Sequence, residues 1–214
     1  MRLLLLCMLC CFIILSCKNK TAKEQIKEPE KKPDTTITVL DKAPNKDSVL
    51  QELTEKALTA FKQRDYTTLA EMVHPEEGVR FSSYGYIDTL LDKVISADWI
   101  RKQGTLPKQD KLKWGEYDAT GKSIFFTLDG YIKEFVYDAE FLQPEKKAVN
   151  QFIGGGNSQN NLLAIYNGCD FTECHFSGFD PKYDGMDWKS LRLVFKLKDG
   201  KYYLVGVVHD EWTI

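Results

Sequence analysis

Leu3 to Leu15 is an unbroken apolar run behind a single cation, Arg2, whereas Lys18 to Lys46 has no apolar periodicity and no aromatic residue. At about 1.5 Å rise per residue the apolar run makes a helix of roughly 20 Å. That is short of the ~30 Å hydrocarbon core of a bilayer, so the run reads as a removable export signal rather than a permanent span. The second stretch is dominated by Lys, Glu, Asp, Thr and Pro, too polar to offset the entropy of ordering, and reads as a flexible tether. The pattern then becomes helical. Between Ser48 and Gln63, the residues Val49, Leu50, Leu53, Ala57, Leu58 and Phe61 share one stripe. Asp65 caps a short second helix carrying Leu69, Met72 and Val73, which His74-Pro75 ends.

From Gly78 to Tyr84 the period falls to two, with Val79 and Phe81 set against Arg80 and Ser82, as in a strand exposed on one face. Ser96 caps a further helix, a loop leads to Trp114, and Thr127 caps a helix carrying Leu128, Tyr131, Ile132, Phe135 and Val136. The second half is strand-rich, at 148–153, 171–176, 190–197 and 202–208. The last two strands form a hairpin through Lys198-Asp199-Gly200-Lys201, a turn that supplies the positive φ hairpins need. A glycine-rich loop, Gly154 to Ser158, follows the first of these strands, and Asn157 or Ser158 caps a helical turn through Leu162, Leu163 and Ile165. Helices first and mostly antiparallel strands afterwards predict an α+β domain over 47–214, with N-terminal helices packed on one face of a curved sheet. The signal occupies 1–16, and residue 17 with its linker runs to 46.

The formal net charge is −2 and the charges are intermixed, without the clustered basic excess of a nucleic-acid binder. Cys7, Cys10 and Cys11 fall in the signal, which leaves Cys17 and the pair Cys169 and Cys174. An oxidising envelope would favour a disulfide between that pair, but five residues apart on one extended strand they face opposite sides, and the sequence leaves the choice open. No zinc-ligand spacing accompanies them, and no metal or cofactor is expected. The Gly154 to Asn157 loop lacks the lysine and hydroxyl of a phosphate loop and reads as a tight turn.

Candidate chemistry centres on histidine. Strand alternation puts His209 with Glu211 on one face, and His175 with Glu173 repeats the spacing. A histidine beside a carboxylate can serve as a general base near neutral pH. If the two strands were neighbours, the pairs would face one another and could hold a metal; the competing reading is structural polar pairs at the mouth of a sheet. His74, at a helix end, is expected to satisfy free carbonyls. Arg80 and Arg192 could grip an anionic ligand or pair with Asp138, Glu140 or Asp187. Tyr84 and Trp188 are candidates for a ligand-pocket wall, and Phe176 to Trp188 for a binding loop.

Ile14, Leu15, Ser16 and Cys17 resemble the lipobox of bacterial lipoprotein precursors. The resemblance implies cleavage before Cys17, diacylglycerol on its thiol, and acylation of the new amino terminus by palmitate or a similar chain. Two or three acyl chains make such attachment effectively permanent. By the same resemblance Lys18, in place of the aspartate that retains enteric lipoproteins in the inner membrane, points to the outer membrane. The helix-turn-strand passage from Ala57 to Tyr84 and the closing LRLVFKLKDGKYYLVGVVHDEW hairpin resemble nuclear-transport-factor-two-like cone folds, and also small bacterial envelope proteins without assigned activity. That resemblance implies a sheet curled around a pocket, catalytic in some members. The expected function is a membrane-anchored envelope protein binding a small ligand or an envelope partner without catalysis. The alternatives are a hydrolase or isomerase using His209 or His175 as base, and a structural subunit of an envelope assembly. The oligomeric state is left open. Replacing the anchor residue, Cys17→Ser, should abolish labelling by a palmitate analogue and move the protein out of the membrane fraction. An unchanged partition would refute the anchor.

Overall fold

The computed structural model describes residues 45–157 and 159–213; the signal, Cys17 and nearly all of the tether lie outside them. Helix α1 (Lys46–Gln63) begins at Asn45, whose side chain accepts the Asp47 N–H, and ends at Arg64 in the left-handed region (φ 58°). Helix α2 (Tyr66–Met72) is capped by Asp65, which accepts the Thr68 N–H at 3.0 Å. Strands β1 (Val79–Ser82) and β2 (Lys93–Ile95) precede α3 (Ala97–Gln103), capped by Ser96. A two-stranded ribbon, β3 (Leu112–Glu116) with β4 (Ser123–Phe126), leads into α4 (Leu128–Phe135), capped by Thr127. Then come β5 (Lys146–Val149), the single turn α5 (Leu162–Ile165), β6 (Asp170–Phe176), β7 (Lys189–Lys198) and β8 (Lys201–Glu211). No helix among the described residues is long and apolar enough to cross a membrane.

The main sheet has the order β2-β1-β8-β7-β6-β5, antiparallel except where β1 runs parallel to β8. The β7–β8 hairpin turns at Asp199 (φ 50°) and Gly200 (φ 77°), both left-handed as the Asp-Gly pair predicts. A bulge between Val194 and Phe195 interrupts the longest pairing and adds local twist. One face of the sheet, through Cys174, Leu191, Leu193 and Val207, packs on the apolar stripe of α1, on α2 and on α4, in the main core. Within that core Trp114 of the ribbon stacks on Tyr131 of α4 at 4.2 Å, and Phe81 of β1 meets both rings edge-on. The opposite face, through Phe171, Val194 and Val208, is covered by loop residues Ile87 and Phe152 and by Leu162 of α5 in a smaller cluster. The architecture is the expected α+β one, with helices and ribbon closing over one face of a mostly antiparallel sheet.

Several local expectations are corrected. The segment expected as a loop before Trp114 contributes β3, and 93–95 is a strand; these pieces are short and hold few buried apolar residues, so they carry little apolar pattern. Strand β1 is not half exposed, because it lies between β2 and β8 and buries Ser82 as well as Val79 and Phe81. Strand β5 stops at Val149, and Ile153 lies in the loop, where its N–H goes to the Glu173 carboxylate. The turn α5 is capped by neither expected residue. Asn157 bonds to the backbone of Thr213, Ser158 lies outside the described residues, and the Leu162 N–H goes to the Asn160 side chain at 3.0 Å. His74 accepts rather than donates, its Nδ1 taking the Glu77 N–H at 3.0 Å and the Glu76 N–H at 3.3 Å. Cys169 and Cys174 are free thiols: Cys174 sits in the main core and Cys169 against the smaller cluster on the other face.

Candidate functional site

The two histidine-carboxylate pairs do not meet. Strand β7 lies between β6 and β8, and the register pairs His175 with Ser190 and Asp210, but His209 with Leu191 and Cys174. His175 and Glu173 therefore lie on the face of the smaller cluster, while His209 and Glu211 lie on the helix face. On the helix face the His209 Nδ1 donates to the Ser83 carbonyl at 3.2 Å, and Nε2 lies 3.2 Å from Asp138. Lys189 bonds to Asp138 and, at 3.0 Å, to Glu211. Burial acts to raise the Asp138 carboxyl, but His209 and Lys189 hold it below its ordinary value. One ligand atom each of Asp138, His209 and Glu211 falls within 4.8 Å of the others, as a metal would require. The Lys189 ammonium already supplies the positive charge between the two carboxylates, so the trio is a closed ion-pair network.

On the other face Glu173, Arg192 and Asp210 form a charged cluster with Arg192 and Glu173 fully buried. The Glu173 carboxylate accepts from Ile153 N–H, Gly154 N–H, the Ser190 hydroxyl and two guanidinium nitrogens, at 2.6–3.2 Å. Arg192 also donates to Asp210 at 2.8 Å and to the Gly154 carbonyl at 3.0 Å. Arg192 is thus an internal ion-pair partner and faces no ligand cavity. His175 bonds to Ser190 through Nδ1 at 2.8 Å, and burial holds its pKa below the ordinary imidazole value. The Ser190 hydroxyl gives its own proton to Glu173, so His175 Nδ1 donates to it and does not act as its base. The glycine-rich loop is explained by close approach: a Cβ on Gly154 would stand 2.3 Å from the Ser190 hydroxyl, and one on Gly156 would stand 2.8 Å from the Trp188 ring. Trp188 therefore packs under the loop rather than lining a pocket.

The concave feature with convergent chemistry lies elsewhere, where the segment after β1 faces the β3–β4 ribbon. It has a volume of about 240 Å³ and is walled by Tyr84, Tyr86 and Tyr117. The rings of Tyr84 and Tyr117 both rest on Phe135 of α4, at 6.0 and 6.1 Å. Burial pushes both phenols up, so they stay neutral. Four carboxylates, Asp88, Asp92, Glu116 and Asp118, share the wall, and the lining contains no basic residue. Glu116 is paired with Lys113 at 2.6 Å; Asp88, Asp92 and Asp118 have no salt-bridge partner among the described residues. The Asp88 side chain accepts the Leu90 and Leu91 N–H groups, and Asp92 accepts the Asp88 N–H at 3.0 Å, which fixes the carboxylate-bearing turn. Arg80 donates to the carbonyls of Thr89 and Asp92 and so holds that turn from below, touching no cavity ligand position. Burial pushes the Asp92 carboxyl from 3.8 up to about 6, opposed by Ser82, the Asp88 N–H and Arg80. Of the residues singled out from sequence, Tyr84 alone lines this cavity; its carboxylates belong to no spacing motif.

No protein-family model matches the chain, and no curated protein does. Among solved structures it is similar to a designed nuclear-transport-factor-two-like protein, at 9% identity and a TM-score of 0.32, over 77% of this chain and 99% of that one. It is also similar to a DUF4783 family protein from Bacteroides ovatus, at 10% identity and a TM-score of 0.30, over 74% and 94%.

Breaking a buried ion cluster from one side leaves uncompensated charge, so Arg192→Met should lower unfolding stability by about 3–5 kcal/mol in urea titrations. Neutralising its partners in the same chain, Glu173→Gln with Asp210→Asn, should recover part of that loss; no recovery would contradict the charge argument. Asp92 behaves in the opposite sense. Its raised folded pKa means stability is complete below about pH 4 and is lost as pH rises through about 6, by up to ~3 kcal/mol. Asp92→Asn should therefore stabilise the protein at about pH 7 and change little at about pH 4, as thermal melts at the two pH values would reveal.

Proposed function

We propose that the chain is a lipid-anchored protein of the bacterial cell envelope whose folded domain binds a small ligand, without catalysis, in the tyrosine-walled cavity. The anchor rests on the lipobox-like residues ending at Cys17, and the outer membrane is the destination favoured by Lys18. The observation that carries the binding reading is Asp92. A carboxyl held partly desolvated at a cavity wall, with no ion-pair partner, costs the fold stability and does nothing for its packing. Groups of that kind concentrate where a site has work to do on something outside the chain. The neutral phenols beside it offer apolar faces and hydroxyls, the usual mixture of a small-molecule site.

The hydrolase or isomerase alternative required His175 and His209 to converge with an acid. They lie on opposite faces of the sheet, His209 is fully buried and His175 nearly so, and neither lines the cavity. The test is a thermal-shift screen of the full chain, in non-ionic detergent, against a library of small metabolites. A ligand at a hundredfold excess over Kd contributes about 2.7 kcal/mol, which raises Tm by roughly 5–10 °C for a domain of this size. The shift should vanish in Tyr84→Ala. Shifts equal in both proteins, or turnover of any library member, would overturn the reading.

A further inference from the structure

We propose that the ligand of this cavity is a small organic cation, an amine or quaternary ammonium compound, held by the tyrosine faces and the unpaired carboxylates. The inference rests on the binding reading above and adds the ligand's charge and class. Four carboxylates against no lining cation leave the wall with a net negative charge, reduced by the Lys113 partner of Glu116 and by Arg80 behind Asp92. The tyrosine rings present electron-rich faces, which attract an ammonium most strongly when water is excluded. Behind the wall the Ser82 hydroxyl is 1% exposed and stands close enough to the Asp92 carboxyl to favour its charged form. The acid's charged form is thus supported by Ser82 and, without a direct ion pair, by Arg80.

The spacing of the carboxylates separates an organic cation from a metal ion. Among the described residues the trio whose ligand atoms gather within 4.8 Å is Asp138, His209 and Glu211, and none of these lines the cavity. The cavity acids are spread around about 240 Å³, too far apart for one bare ion to bridge three of them. That space suits a group the size of a trimethylammonium head, whose charge is diffuse and whose methyls contact aromatic faces. Asp88, Asp92 and Asp118 lack the direct ion pairs that close the His209 and Arg192 networks, so the local charge calls for a partner from outside the chain.

The experiment is isothermal titration calorimetry of the full chain in non-ionic detergent, with choline, putrescine and the neutral tert-butyl isostere of choline as probes. At least one of the two cations should bind, and choline should bind at least ~10-fold more tightly than its neutral isostere. Asp92→Asn should weaken cation binding by ~10-fold or more, and Asp118→Asn provides the same reading should the first variant fail to fold. Asp98→Asn, on exposed α3 and paired with Arg101, should leave affinity unchanged and so controls for general surface charge. Equal affinity for choline and its neutral isostere, or no loss in the Asp92 and Asp118 variants, would overturn the cation assignment. If both cations fail while another library member raises Tm through Tyr84, the cation assignment falls and the binding reading stands. If nothing engages the cavity, both fall.

Discussion

The guanidinium of Arg192 is the constraint around which one whole side of the molecule is arranged. It sits fully buried in the middle of β7, where a charge is tolerable only if every donor finds an acceptor. Glu173 from β6, Asp210 from β8 and the Gly154 carbonyl supply those acceptors, so three adjacent strands and a distant loop are fixed at once. The loop has no regular structure to satisfy its amides, and the same carboxylate takes the N–H groups of Ile153 and Gly154. Phe152, carried by that loop, stacks on Phe171 at 4.7 Å and, with the single turn α5, helps cover the sheet face opposite the longer helices. Remove the charge pairing and the second core loses its lid.

The molecule keeps its buried charges in different states. In the Arg192 cluster and in the network of Lys189, Asp138, His209 and Glu211 each carboxylate has a cation or imidazole directly against it, and each network holds elements together. The tyrosine-walled cavity has acids without matching bases, and its most buried acid is destabilising when ionised. Histidines and arginines, which first attract notice as chemistry, are thus absorbed by the matched networks, and the unmatched aspartates remain. This division separates groups that stabilise the fold from groups that are held at some cost to it.

Much of the fold was legible from local chemistry. Asp65, Ser96 and Thr127 each cap the helix their spacing indicates, and Asp199-Gly200 turns the final hairpin. Strand alternation also grouped Glu173 with His175 and His209 with Glu211 correctly. Alternation assigns residues to a face without saying which face, and strand order is set by long-range pairing; placing β7 between β6 and β8 sent the two pairs apart. The ribbon of β3 and β4 was hidden because only Trp114, Gly115 and Ile124 of its residues are buried. Tyr84 was accessible as an aromatic next to a strand, whereas Asp92 and Asp118 look like ordinary loop acids. Nothing in their neighbours along the chain reveals that the segment after β1 and the β3–β4 ribbon would face one another.

Gly85 links the two regions. A Cβ there would stand 2.6 Å from an Asp210 oxygen, so the backbone between Tyr84 and Tyr86 lies directly on the carboxylate that Arg192 holds. The cavity's rim therefore rests on the ion cluster as on a foundation. Any side chain at position 85 would have to displace either a buried anion or the two tyrosines flanking it. A substitution at this one glycine would therefore be felt in two places at once, in the packing of a buried anion and in the spacing of two tyrosines that never touch it.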